Sequence, residues 1–236
     1  KGILFLEKLY QNNALREIGD LDILVKPEDA VEAMKVLVAD GYELAIEGEA
    51  NEEMFKHIVD TFPSPEVSFD KVSPLGMNVQ IDFHWGMNEF EIYNIDVISV
   101  LDETIIGIYQ NSEILIPTNE AIFKMLLNHH GGRECWVRLK DLADLISFIK
   151  SFPGFSESKL EDIAASIKMK RIYSAANDLL VSFFNEKNST KSEYYNIMAL
   201  KRIVYMWESS IHWKAFKPMV ILLLIFKDLQ DVHMSW

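Results

Sequence analysis

Cysteine is nearly absent: the 236 residues include only Cys135. An internal disulfide is thereby excluded, and the composition fits a reducing cytoplasm. Long apolar runs are missing too. The longest, Met219–Phe226, falls far short of the roughly 20 residues that cross a bilayer. No secretory signal, internal repeat or low-complexity segment is visible, so a cytoplasmic location is expected. Basic residues are scarce in the first half. Residues 1–112 hold 7 Lys+Arg against 22 Asp+Glu, a net −15, whereas residues 113–236 hold 16 against 14, a net +2. An acidic half of this kind is a poor surface for a nucleic-acid backbone, which needs clustered Lys and Arg.

What remains is an ordinary globular composition, 49% hydrophobic and 25% charged, in a chain long enough for one large domain or two small ones. It is organised around Gly19-Asp20-Leu21-Asp22-Ile23-Leu24-Val25, which reads as a short strand. Successive side chains on a strand alternate faces. Asp20 and Asp22 therefore share one face, and Leu21, Ile23 and Val25 are expected to enter a core from the other. Val79 to Trp85 alternates in the same way: Val79, Ile81, Phe83 and Trp85 are apolar, and Gln80, Asp82 and His84 are polar. If the two strands are neighbours, Asp82 joins Asp20 and Asp22. Clustered carboxylates are hard oxygen ligands that suit one or two Mg²⁺ ions, and a pair of such ions clamps a phosphoryl group for in-line displacement.

Between these strands the spacing predicts a helix from Pro27 to Asp40, with acids in its first turn and Gly41 at its end. A strand is predicted over Tyr42–Ile46, a short helix or excursion over Asn51–Asp60, and a hairpin of Val67–Val72 with Met77–Trp85 around Ser73-Pro74-Leu75-Gly76. A helical turn near Val97–Leu101 and a short buried strand, Ile114–Ile116, close the first half.

Arg16, Gly19-Asp20-Leu21-Asp22 and Gln80-Ile81-Asp82-Phe83-His84-Trp85, together with the opening Lys1-Gly2 and the downstream Trp136-Val137-Arg138-Leu139-Lys140-Asp141-Leu142-Ala143-Asp144-Leu145, resemble a largely uncharacterised bacterial nucleotidyltransferase family. That family lies within the superfamily of DNA polymerase β and the aminoglycoside nucleotidyltransferases. The resemblance implies an α+β (α/β) core, a mixed sheet with flanking helices, and metal ligation by Asp20, Asp22 and Asp82. It also implies nucleotide binding near Lys1, Gly2, Arg16, Gly19 and His84. A glycine at a helix start lets backbone approach phosphates, and the helix N-terminus is itself an anion site. The chain departs from the superfamily in having Gly2-Ile3 where Gly-Gly or Gly-Ser is usual. Arg16 suits either a phosphate or one of the aspartates as a planar fork donor.

From Thr118 the pattern is helical. Helices are predicted from Thr118 or Asn119 to Gly131-Gly132, over Trp136–Lys150 with Leu139, Leu142 and Ile146 on its apolar face, from Ser158, over Ile172–Phe184, over Tyr194–Trp207 and over Lys217–Leu229. The expected division is 1–116, an α/β nucleotidyltransferase-like domain, and 117–236, an all-helical domain. His129, His130, Arg133, Arg138, Lys140, Asp141 and Asp144 form the densest polar cluster of the second half. It has both charge signs and is expected to face the aspartates and hold an acceptor, with a carboxylate such as Asp144 as general base. The expected reaction transfers a nucleoside monophosphate from an NTP, ATP above all, to a small-molecule or protein acceptor with release of pyrophosphate. The rival readings are a catalytically inactive regulatory module on the same fold and a metal-dependent phosphohydrolase, for which more histidine ligands than His84 are expected.

Overall fold

The computed structural model describes residues 8–10, 19–87, 95–109 and 111–184. Lys1, Gly2 and Arg16, and the helices expected after residue 185, lie outside the described residues. The chain passes from one compact unit to a second between Ala121 and Ile122, a few residues beyond the boundary expected at 116/117.

In the first unit, strand β1 (Leu21–Leu24) leads into a turn at Pro27–Asp29 and helix α1 (Ala30–Ala39). Glu28 and Asp29 place acid at the helix start, where it complements the dipole. The helix stops because Gly41 takes φ +87°, which suits a residue without a Cβ. Strand β2 is shorter than expected, Glu43–Leu44. Helix α2 (Glu52–Thr61) is capped by Asn51, whose side chain accepts from Met54 N at 3.0 Å. Strands β3 (Glu66–Val72) and β4 (Asn78–His84) form the expected hairpin.

The strand order is β1-β4-β3-β2. β4 runs antiparallel to β3 but parallel to β1, so the sheet is mixed. The alternation seen in the sequence dictates which face is covered. Val67, Phe69, Ile81 and Phe83 are buried with Ala30 and Met34 of α1 and Phe55 and Ile58 of α2. Phe83 meets Phe69 edge-on at 6.1 Å and Trp85 at 6.4 Å. Each such ring contributes about 1.5–3 kcal/mol by leaving water. Ile23 departs from expectation: on the terminal strand of this order it stays 36% exposed, whereas Leu21 and Val25 pack against the core.

Helix α3 (Val97–Asp102) is opened by an Asp96–Ser99 capping box. The following hairpin, β5 (Thr104–Tyr109) with β6 (Ser112–Pro117), was half expected. Ile114–Ile116 is a strand, but it is not buried: Leu115 is 62% exposed, because the two-stranded ribbon has apolar residues on both faces.

The described part of the second unit is helical: α4 (Asn119–Leu126), a π-helical segment (Leu127–Arg133), α5 (Leu139–Ser151), α6 (Glu157–Ser166) and α7 (Lys170–Phe184). Its aromatic centre is Phe123, stacked on Phe148 at 5.4 Å and edge-on to Tyr173 at 5.5 Å. Two expectations are corrected. Gly131-Gly132 does not end the first helix; both glycines lie inside the π segment, which runs through Arg133. The next helix begins at Leu139 instead of Trp136, since Cys135 and Trp136 both take φ +55°, outside the helical region. Leu139 is consequently 62% exposed and not on the apolar face.

Candidate active site

The parallel pairing of β1 with β4 sets Asp22 directly beside Asp82. Leu21 and Ile81, one residue earlier on each strand, are also partners and turn to the covered face, so both carboxylates project from the other. Antiparallel pairing continues the row onto β3, with Ser68 opposite Asp82, Glu66 opposite His84 and Asp70 opposite Gln80. One sheet face is thus apolar and filled by two helices, and the other is polar and rich in carboxylates.

The side chains on that face are tied to one another. Asp82 Oδ1 accepts from Ser68 Oγ at 2.7 Å and from Gln80 Nε2 at 2.9 Å. Asp22 Oδ1 lies 3.1 Å from His84 Nε2, and the other ring nitrogen of His84, Nδ1, lies 3.3 Å from Glu66 Oε2. The side chains of His84, Asp22 and Glu66 are 13%, 16% and 26% exposed, a half-buried setting in which charge–charge interactions are screened less than at the open surface. Adjacent strands stand about 4.8 Å apart, so two ionised carboxylates in register repel. The donors around each oxygen offset part of that cost, and a divalent cation would offset more.

The donor set therefore fits a hard cation in chemistry: two carboxylates in register, with Asp20 just before β1. In geometry the fit is partial. Among the described residues, no three His, Cys, Asp or Glu side chains are gathered into a metal-holding group. Gly19, also placed at this site by the sequence, is exposed in the segment that enters β1.

The second polar cluster is assembled differently. His130 Nε2 lies 3.0 Å from Asp144 Oδ2, and its Nδ1 lies 3.2 Å from Asp141 Oδ1 and 3.1 Å from His129 Nδ1. Arg138 Nε donates to Asp141 Oδ2 at 3.1 Å. His130, Asp141 and Asp144 are 4%, 0% and 1% exposed. His130 and Asp144, expected at the acceptor site, are buried here and contact each other, tying the π segment to α5. A buried carboxylate is costly without such partners. Lys140 is exposed, and His129, Arg133 and Arg138 are half-buried.

A model of the family described as uncharacterised nucleotidyltransferase matches residues 1–185. The chain belongs to this nucleotidyltransferase family. No curated protein and no solved structure matches it. The family match takes in both the sheet that carries Asp22 and Asp82 and the helices α4 to α7. Among the described residues, no helix is long and apolar enough to cross a membrane. The sequence reading missed Glu66 and Ser68. Period-two alternation from Val67 and Phe69 already puts Ser68 on the polar face, and Glu66 joins it once the strand is started one residue earlier.

Proposed function

We propose that this protein is a metal-dependent nucleotidyltransferase that moves a nucleoside monophosphate from an NTP, ATP in the first instance, to a small-molecule or protein acceptor. The observation that carries this reading is the in-register pairing of Asp22 with Asp82 on the open face of the sheet, within a chain of nucleotidyltransferase family. Asp22 and Asp82 would hold Mg²⁺, with Asp20 as a third ligand. When bound, the ion would neutralise charge on the phosphates and lower the pKa of an acceptor hydroxyl. The chain's own contribution is positional. Hydrogen bonds from Ser68 and Gln80 fix the Asp82 carboxylate, and His84 fixes Asp22. Preset ligands of this kind avoid reorganisation when charge develops at the reacting phosphate. Lys1, Gly2, Arg16 and Gly19 are proposed to meet the triphosphate. For the acceptor, His129, Arg133, Arg138 and Lys140 remain as proposed contacts, and the positive charge of the two arginines and the lysine favours an anionic group.

A second reading, a non-catalytic nucleotide-binding module, is favoured by one observation: three carboxylates are not gathered into a ready metal group among the described residues. Incubation of the full chain with each α-labelled NTP and Mg²⁺, alone and with a cell extract as acceptor source, separates the two. The enzyme reading expects Mg²⁺-dependent release of pyrophosphate and label transfer. Nucleotide binding without pyrophosphate release in any mixture overturns it.

A further inference from the structure

The polar face holds one arrangement that metal ligation by the aspartates does not explain. His84 bridges two strands. Its Nε2 faces Asp22 Oδ1 at 3.1 Å on one neighbour, and its Nδ1 faces Glu66 Oε2 at 3.3 Å on the other. The register makes this possible, because His84 pairs with Leu24 of β1 and with Glu66 of β3. An imidazole alone on a strand turns freely about its last torsion, and its two nitrogens are then interchangeable. A carboxylate on one nitrogen fixes the ring plane and says which nitrogen meets the other partner.

We propose that Glu66 is a positioning residue: through His84 it holds the Asp22 carboxylate in the orientation that binds a divalent cation. The inference rests on Asp22 being a metal ligand. It explains why a further acid stands on a face already crowded with carboxylates, where another negative charge is otherwise unfavourable. Asp82 needs no such relay, since Ser68 and Gln80 reach it directly. The two carboxylates are thus held by different means, one by neutral donors and one by a histidine with an acid behind it.

The test uses the full chain and Mn²⁺ alone, titrated by electron paramagnetic resonance, with four proteins: the parent, Glu66→Ala, Glu66→Gln and Asp22→Asn. Loss of a direct partner of a metal ligand costs about 10- to 100-fold in metal affinity, and Glu66, one residue further out, belongs at the low end. Glu66→Ala is expected to weaken Mn²⁺ binding by about 10-fold or more, with an unchanged far-ultraviolet dichroism spectrum. Glu66→Gln keeps an oxygen within reach of the His84 ring and is expected to recover most of that loss, which a purely electrostatic role of the acid would not allow. Parent-like affinity in Glu66→Ala, or equal losses in Glu66→Ala and Glu66→Gln, overturns the proposal. Asp22→Asn separates the levels. If it loses Mn²⁺ while Glu66→Ala does not, only the relay is wrong; if Asp22→Asn binds as the parent does, the metal site and the relay fall together.

Discussion

Gly131→Ala tests how tightly the π segment is packed. Gly131 lies in the π segment, and a Cβ built on it would stand 2.2 Å from Ile172 Cγ2 and 3.0 Å from Cε2 and Cζ2 of Trp136. In an open helix the same change is favourable by about 0.5–1 kcal/mol, because alanine loses less backbone freedom than glycine. Here both neighbours are fixed. Ile172 is β-branched and 2% exposed, and the Trp136 indole N–H donates to Ile172 O at 3.1 Å, so the ring cannot swing away without losing a buried hydrogen bond. Overpacking of a filled core costs about 1–3 kcal/mol, and two immovable neighbours put this site at the upper end. The net expectation is a loss of about 2 kcal/mol, or about 4–8 °C in Tm at this chain size. Thermal unfolding followed by circular dichroism measures it. Ile172→Ala removes the clashing methyl, so the double variant should be less destabilised than the sum of the singles by more than about 0.5 kcal/mol. A Tm at or above that of the parent for Gly131→Ala, or strict additivity in the double variant, refutes the packing argument.

Asp144→Ala leaves His130, 4% exposed, without its 3.0 Å partner. Leaving a buried polar group without a hydrogen-bond partner costs about 1–3 kcal/mol, which should appear as a lower urea midpoint at unchanged slope; a shift below about 0.5 kcal/mol would mean that the pair does not support the fold. On the first unit, Glu52 is held down to about 2 by hydrogen bonds from Lys35 and then Lys56. Its folded value is depressed, so its contribution is present above the ordinary carboxylate range and fades as pH falls towards 2. Melting curves of Glu52→Gln and parent should therefore differ slightly at pH 7 and converge near pH 2; a gap that widens on acidification contradicts the assignment.

The helix α1, the hairpin and the face assignments of β4 were legible because period-two and period-3.6 patterns were unbroken there, with Asn51, Gly41 and Gly76 marking ends. The adjacency of Asp22 and Asp82 was legible only as a conditional, since a sequence shows two polar faces but not which strands are neighbours. Glu66 was hidden by being the first residue of its strand, where alternation has not yet begun. β5 was hidden because Ile105, Ile106 and Ile108 do not alternate and remain exposed at 54%, 69% and 67%. The spacing of Asp141 and Asp144 showed one helical face but could not say whether that face meets a ligand or a buried histidine. In the structure that face meets His130, which the π segment turns inward.

The central claim is that Asp22 serves a cation and a nucleotide. Calorimetric titration of the full chain with ATP and Mg²⁺, parent against Asp22→Asn, tests it most directly, because the substitution keeps shape and removes one negative charge. The account predicts Mg²⁺-dependent ATP binding by the parent and its loss in Asp22→Asn, with the two proteins unfolding at closely similar temperatures. Parent-like affinity for ATP in Asp22→Asn would contradict it.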